Sequence, residues 1–430
     1  MPFFNNHPNR LRILIGPVLA TIACIYGYNQ ITSSETAPQR DVITQPDQKS
    51  PDHGIISVEN TIHIEELFKK SLSFKVRENE ENELDIWYHD GTGLTLNQFD
   101  SSGKHIHTIS LPTIDEPIGI NRISNFFIYS ADSIFVYDAQ YRKLLLVNHE
   151  SEVLNLWLIN NFVPELSAGR NNEIIDIYKN TGGELKIDLT GFDNTYYQSD
   201  PNFSRYNSFV YQINLDTKVV NRGISYPESS AYKDYLFWSG IVPYVRKTDK
   251  GYIATFPLDE QVYRYHHDLT PRGAVTSDAK DFPRAVGNPY GSAQKMNFAR
   301  IDRKLNGFNL KTRGIFNTDH GQKFAKVYRA PLGDNDRIPD DYASFLQGNY
   351  VSEHYLQVFD VKGGEFTKRY YDIEIGRMNL GNLLYIDRDN RYYFLKNDPE
   401  SEEREIVVCS ISTEKRSPET SGDEIMADIP

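Results

Sequence analysis

A strand–turn–strand pattern recurs along most of this chain, and it limits the possible folds more than any other feature. Ser133-Ile134-Phe135-Val136-Tyr137-Asp138 runs into a polar turn and then Leu144-Leu145-Leu146-Val147. The same shape appears from Leu94 to Asp100 before His105-Ile106-His107, from Phe209 to Asn214, from Val262 to His266, and from Leu356 to Asp360 before Gly363-Gly364. Each copy ends a strand on an apolar or aromatic residue, then Asp, Asn or His, then a turn. A ribbon of this kind cannot bury its own apolar surface and must stack on further copies of itself.

The polar residue that closes each first strand serves as an anchor. The steps between Asp100, Asp138, Asn214, His266 and Asp360 are 38, 76, 52 and 94 residues. The two long steps read as double periods. Weaker copies stand inside them, at Ile177-Tyr178-Lys179 before Thr181-Gly182-Gly183 and at Gly307-Phe308-Asn309, and another hairpin lies near Tyr392-Tyr393-Phe394-Leu395. A period of about 40–50 residues is that of a β-propeller blade. The expectation is an all-β protein, a β-propeller of seven blades with six or eight as alternatives, built of four-stranded antiparallel sheets. The 28 Tyr and 23 Phe fit pleated, half-buried surfaces, and the 27 Gly and 21 Pro punctuate turns. Only Glu65–Ser71 and Pro339–Leu346 suggest short helices.

Residues 1–24 read as a targeting segment. Arg10 and Arg12 precede an apolar run from Ile13 to Ile25, broken by Gly16-Pro17 and Thr21. The run is shorter than the roughly 20 residues a spanning helix needs. Ala23-Cys24 is similar to a bacterial lipoprotein cleavage site, with Cys24 as the acylated residue. An uncleaved anchor reaching to Tyr28 and a soluble secreted product are the alternatives. Residues 25–60 read as a flexible tether rich in Ser, Thr, Pro, Gln and Asp, 61–410 as the propeller, and 411–430 as a disordered tail. The second cysteine, Cys409, sits in the strand pattern Ile406-Val407-Val408-Cys409 and reads as a buried small hydrophobe. If Cys24 is lipidated, no intramolecular disulfide is possible. The segment after Cys24 lacks an acidic run, which favours a periplasm-facing place in the cell envelope.

The blade residues Asp132–Asp138, Leu144–Asn148 and Gly251-Tyr252-Ile253-Ala254-Thr255-Phe256-Pro257 before the Val262 strand resemble those of the β-propeller lipoproteins of Bacteroidota, of the type of domain-of-unknown-function family 4221. The resemblance covers about residues 60–410. It implies an exported lipoprotein with a propeller domain and supplies no catalytic residues.

Several constellations are candidates for chemistry. His266-His267-Asp268 follows a strand, and one histidine on a channel or loop face can serve as a general base; the plainer reading is a turn-closing position, since Asp100, Asp138 and Asp360 align with His266. His105 and His107 are two apart on a strand and are expected on one face, where a third ligand would complete a metal site; no third ligand is identifiable. Asp334-Asn335-Asp336 with Asp340-Asp341 is acidic enough for calcium but lacks the EF-hand pattern, and a solvated loop explains it. Arg300, Arg303 and Arg329 near Asp302 suit a carboxylate or sugar acid, or ordinary ion pairs. No nucleophile elbow, phosphate loop, zinc-protease motif or dinucleotide fingerprint occurs, and neither a metal nor a cofactor is expected. The net charge of −13 and the lack of a basic stripe argue against nucleic acid. The expected function is a membrane-tethered binding or scaffold module for an envelope protein, peptide or glycan. The alternative is a carbohydrate- or peptide-processing enzyme with its site on one propeller face.

Overall fold

The computed structural model describes residues 54–65, 73–79, 81–89, 93–169, 172–198, 200–237, 241–276, 288–289, 314–317, 323–329, 354–362, 365–375, 378, 380–396 and 404–413. Among them are six four-stranded antiparallel sheets. Blade 1 is β2 (Ser73–Glu78), β3 (Leu84–His89), β4 (Thr95–Phe99) and β5 (His105–Ser110). Blade 2 is β6 (Asn125–Ser130), β7 (Ser133–Asp138), β8 (Lys143–Val147) and β9 (Val153–Leu158). Blade 3 is β10 (Ile174–Lys179), β11 (Leu185–Thr190), β12 (Val210–Asn214) and β13 (Val220–Gly223). Blade 4 is β15 (Tyr244–Thr248), β16 (Gly251–Thr255), β17 (Val262–Tyr265) and β18 (Pro271–Val275). Blade 5 is β20 (Gly314–Asn317), β21 (Lys323–Arg329), β22 (His354–Lys362) and β23 (Glu365–Glu374). Blade 6 takes β24 (Leu380–Ile386), β25 (Tyr392–Lys396) and β26 (Arg404–Thr413) from the end of the chain and β1 (Gly54–Ile64) from its beginning.

The apolar alternation explains the ring. In β7, Ile134 and Val136 pack with Trp87, Leu96 and Ile109 of blade 1. Phe135 and Tyr137, on the other face, pack with Ile187, Leu189, Tyr211 and Ile213 of blade 3. In β16, Tyr252 and Ala254 join Phe209 and Val210 of blade 3, while Ile253 joins Phe324 and Phe359 of blade 5. Leu356 and Val358 of blade 5 meet Leu383, Phe394 and Val407 of blade 6. Ile62, Ile64, Ile406 and Val408 of blade 6 meet Phe74, Val76, Ile86 and Phe99 of blade 1. Six interblade cores thus link the sheets in one closed cycle, each sheet buried on both faces. The first-hand contacts of the inner strands follow the same order, β6 with β10, β10 with β15, β15 with β20, β20 with β24 and β24 with β2. Arg77 of β2 donates to the Ile128 carbonyl of β6 at 3.0 Å and closes the remaining gap.

Among the described residues the ring therefore has six blades, one of the alternatives expected from sequence, and not seven. Two features of the spacing account for the difference. Asp138 closes the second strand of its blade, whereas Asn214 closes and Asp100 and His266 follow the third strand of theirs, so the series mixes unlike turns. The 94-residue step from His266 to Asp360 spans a single blade, from the third strand of blade 4 to the third strand of blade 5. Ile177–Gly183 is the first turn of blade 3, and Tyr392–Leu395 belongs to β25 of blade 6. Residues 307–309 lie outside the described residues, as do the expected helices apart from Glu65.

Turn chemistry pins the hairpins. The Asp100 carboxylate accepts from the Ser102 and Lys104 amides at 2.8 and 3.1 Å, and the Asn214 amide oxygen accepts from Asp216 and Thr217 at 3.0 Å each. Gly103 adopts φ +88°, and a Cβ there would sit 1.9 Å from the His63 carbonyl oxygen. This close approach lets the Glu65 amide donate to the Gly103 carbonyl at 3.1 Å, tying the end of β1 to blade 1. Because β1 starts at Gly54, the sheet includes residues expected to belong to the tether, and β26 runs three residues beyond the expected end of the propeller. Two short helices, α1 (Pro201–Tyr206) and α2 (Ala231–Asp234), and the two-stranded pair β14 (Tyr235–Leu236) with β19 (Asn288–Pro289) decorate connections of blades 3 to 5.

Ile62 of β1 is buried between the closing blade and blade 1, so Ile62→Ala is expected to cost about 2–5 kcal/mol. Cys409, paired with Val58 across β1 and β26, is fully buried, and burial pushes its thiol up to about 11, with Glu59 adding to the shift. Its labelling by a thiol reagent thus requires opening of the sheet. Ile62→Ala is expected to accelerate that labelling; an unchanged rate would contradict the role given to β1.

Candidate functional site

A cavity of about 570 Å³ lies on the propeller axis. It is lined by the inner strands β2, β6, β10, β15 and β24, from Ser73–Arg77, Asn125–Ile128, Glu173–Ile175, Arg246 and Asn382–Ile386. Its charged side chains come from separate blades. Lys75 stands on blade 1, Glu173 at the start of blade 3 and Arg246 on blade 4. In a ring of six, blades 1 and 4 are opposite, so the ammonium and the guanidinium approach the axis from opposite sides.

Both cations are half-buried and line the lumen. Burial lowers the Lys75 ammonium below its ordinary value of 10.5; Glu173 opposes that shift and Arg246 adds to it. Burial likewise lowers Arg246 from its ordinary 12.5, and Glu173 again opposes. The Glu173 amide donates to the Thr190 hydroxyl at 2.8 Å, which fixes the start of β10. Arg246 donates to its neighbour's carbonyl, Val245, at 3.0 Å. Asn125 is only 6 % exposed and lines the cavity, but its Oδ1 is closed off from the lumen and has no hydrogen-bond partner among the described residues. Arg77 acts as a strut between blades 1 and 2, with Asp85 3.8 Å from its Nε.

A second charged group sits between blades 3 and 4. Asp188 is fully buried on β11. Tyr252 donates to its Oδ2 at 2.6 Å, and the Lys247 ammonium lies 3.2 Å from the same oxygen and 2.9 Å from Asp176. Lys247 also stands 3.0 Å above the Tyr178 ring, and Gln212 donates to the Tyr252 hydroxyl at 2.7 Å. Every charge here has a partner, and the group reads as an interblade clamp.

The residues singled out from sequence do not converge on the lumen. His266 and His267 are exposed in the turn after β17. The His266 amide donates to the Thr270 carbonyl at 2.9 Å and its carbonyl accepts from Leu269 at 3.0 Å, so its backbone builds the turn. The His267 ring reaches the Asp249 carbonyl at 3.1 Å, and the side chain lines a separate surface groove with Gln212, Asn214 and Asn221. Arg329 ends β21. Lys323 at the start of that strand shares a crevice with Asp249 and Lys250, which puts Arg329 about 20 Å further along, at the opposite end of the sheets from His267. Arg300, Arg303, Cys24 and the Asp334–Asp341 cluster lie outside the described residues. His105 and His107 part company because the β4–β5 register shifts at Phe99. His105 meets the Phe99 ring at 5.4 Å, whereas His107 stacks on His149 at 3.7 Å and bonds the His149 carbonyl at 2.7 Å. Among the described residues no group of three or more His, Cys, Asp or Glu could hold a metal ion. Lys75, Glu173, Arg246 and Asn125 escaped sequence reasoning because they are distant in sequence and share no motif; the one local hint is charge inside otherwise apolar inner strands, as in Phe74-Lys75-Val76-Arg77 and Val245-Arg246-Lys247.

The fold and its lumen define a six-bladed propeller with a charged axial cavity. No family model and no curated protein matches the chain. Among solved structures, a member of domain-of-unknown-function family 4221 from Bacteroides vulgatus is similar, with TM-score 0.63 and 12 % identity over 85 % of this chain and 100 % of that one. A presumed exported protein from Bacteroides fragilis aligns with TM-score 0.49 and 13 % identity over 84 % of this chain and 96 % of that one. The chain thus resembles family 4221 and shares its member's fold. No helix among the described residues is long and apolar enough to cross a membrane.

Burial holds the Asp188 carboxyl above its ordinary 3.8, with Lys247 and the Tyr252 hydroxyl opposing. A raised acid binds its proton more tightly in the folded state, so this group's contribution to stability falls as pH rises from about 4 through its folded value. Asp188→Asn is expected to flatten that part of the pH profile in denaturant titrations. Lys247→Met strands two carboxylates and is expected to cost about 3–5 kcal/mol. A profile unchanged in Asp188→Asn would contradict the clamp.

Proposed function

We propose that this chain is an exported, membrane-tethered propeller that binds an envelope protein, peptide or glycan and does not transform it. The observation that carries this reading is the axial lumen. It has the size of a ligand pocket, for which about 300–1,000 Å³ is usual, and two half-buried cations and one carboxylate line it. Glu173 is the only carboxylate among the described lining residues, and it faces the fields of Lys75 and Arg246. Ordinary glycoside hydrolysis uses two carboxyl groups about 5–10 Å apart, one kept protonated. A single carboxylate among the described lining residues does not make that pair, which supports recognition over glycoside hydrolysis. In this reading the N-terminal segment holds the propeller at the periplasmic side of a membrane, with Cys24 as the lipid-bearing residue.

The full chain, crosslinked in native envelopes and recovered under denaturing wash, is expected to bring down a defined partner while releasing no product from envelope polymers. Fatty-acid labelling is expected in the parent chain and not in Cys24→Ser. Product release that disappears in Glu173→Gln would replace the binding reading with an enzyme, and equal labelling of Cys24→Ser would remove the lipid anchor.

A further inference from the structure

Toward the hairpin turns, beyond the Asp188–Lys247 clamp, the face that blade 3 turns to blade 4 stays polar. Two cross-strand rows build it. Asp176, Asp188, Gln212 and Asn221 pair across β10 to β13, and Tyr178, Lys186 and Asn214 form the next row. This second row opens into a groove of about 660 Å³, with His267 and Asp268 of blade 4 on its other side. The volume is that of a ligand pocket, and the groove shares no described lining residue with the axial lumen.

Hydrogen bonds within the protein hold the walls in place. Gln212 donates to the Tyr252 hydroxyl at 2.7 Å and to the His267 carbonyl at 3.0 Å, and accepts from Asn221 at 2.9 Å. Oε2 of Glu184 accepts from Asn180 at 2.7 Å and from Asn214 at 2.8 Å. The His267 ring donates from Nε2 to the Asp249 carbonyl at 3.1 Å, since a carbonyl can only accept. Four groups stay open beside them. Lys186 is half-buried, and its ammonium has no hydrogen bond or ion pair among the described residues. Oε1 of Glu184 and the Asn221 Oδ1 likewise have no donor there. Asp268 receives the Thr270 amide at 3.0 Å and hydroxyl at 2.6 Å on Oδ1, which leaves Oδ2 open. Those two bonds hold its carboxyl below the ordinary 3.8, so it is ionised at neutral pH.

We infer that the groove between blades 3 and 4 binds a neutral oligosaccharide, whose hydroxyls accept from Lys186 and donate to Glu184, Asp268 and the Asn221 Oδ1. The site is additional to the axial lumen and does not depend on it. The chemistry follows from the open groups. A ligand here must accept from an ammonium and donate to two carboxylates and an amide oxygen, and hydroxyl groups do both. An anion meets two carboxylates against one ammonium. A cation leaves Lys186 unanswered. A peptide brings amides, but Val219 is the one aliphatic side chain among the described lining residues, so its apolar side chains find little to pack on.

The test is isothermal titration calorimetry of the full chain with six probes. Maltotriose, cellotriose, mannotriose and xylotriose are the neutral saccharides, trigalacturonate is the anion and trialanine the peptide. At least one neutral trisaccharide is expected to bind at least tenfold more tightly than trigalacturonate and trialanine. That trisaccharide is expected to slow acetylation of Lys186 at least threefold, read by mass spectrometry. It is expected to bind at least tenfold more weakly to Lys186→Met and to Asn221→Ala. Lys186→Met removes no hydrogen bond or ion pair of the folded chain, so its thermal midpoint is expected to match the parent's. Binding of none of the four, or trigalacturonate or trialanine binding as tightly, overturns the neutral saccharide. Unslowed acetylation of Lys186 in a chain that does bind a trisaccharide overturns the location, and this arm needs no variant. A chain that ignores every trisaccharide yet brings down an envelope partner overturns this inference alone. A trisaccharide held at Lys186 in a chain that recovers no envelope partner supports this inference where the lumen reading fails.

Discussion

Each sheet of this protein has two apolar faces, and both must be covered. A flat sandwich covers one face per sheet and leaves the other in water. A radial arrangement covers both, provided that the last sheet meets the first. The alternation within single strands makes this concrete, since Ile134 and Val136 serve one neighbour of blade 2 while Phe135 and Tyr137 serve the other. The six interblade cores are therefore one constraint expressed six times. The closure at β1 and β26 is what allows the first and last of them to exist, because Ile62 and Ile64 enter the core of blade 1 from the far end of the sequence.

The lumen is the by-product that such a ring supplies. Inner strands expose one edge to the axis, and an unpaired edge needs either water or a side chain to satisfy it. Arg77 answers one such carbonyl, that of Ile128, and in doing so bridges the two blades whose inner strands are otherwise least in contact. Lys75, Glu173 and Arg246 share that axial surface, and their charges give the cavity its chemical character. The clamp of Asp188, Lys247 and Tyr252 shows the contrasting case, in which polar groups at a blade interface satisfy one another and leave nothing for a ligand.

The strand pattern was legible in the sequence because burial on both faces leaves near-continuous runs such as Ile134–Tyr137 bounded by Asx turns. The blade count was not, since turn chemistry is the same at both ends of a sheet. Asp138 and Asp100 cap their turns in the same way, although one follows the second strand and the other the third. The 94 residues from His266 to Asp360 then give one period the appearance of two. The lumen residues were illegible for a different reason. Lys75, Glu173 and Arg246 become neighbours only through ring order, and no local spacing encodes that order. The histidines drew attention because His266 and His267 are adjacent in sequence, but adjacency in a turn places them on the surface, away from the axis.

Ring closure depends on β1 being an integral strand of the sixth sheet. Native-state hydrogen exchange measures this directly, residue by residue. The amides of β1 that pair with β26 should be protected to the same degree as those of β25, and all should open together at the free energy of global unfolding. Rapid exchange across Ser57–Ile64 while β24–β26 stay protected would mean that the ring is closed by something other than the start of the chain.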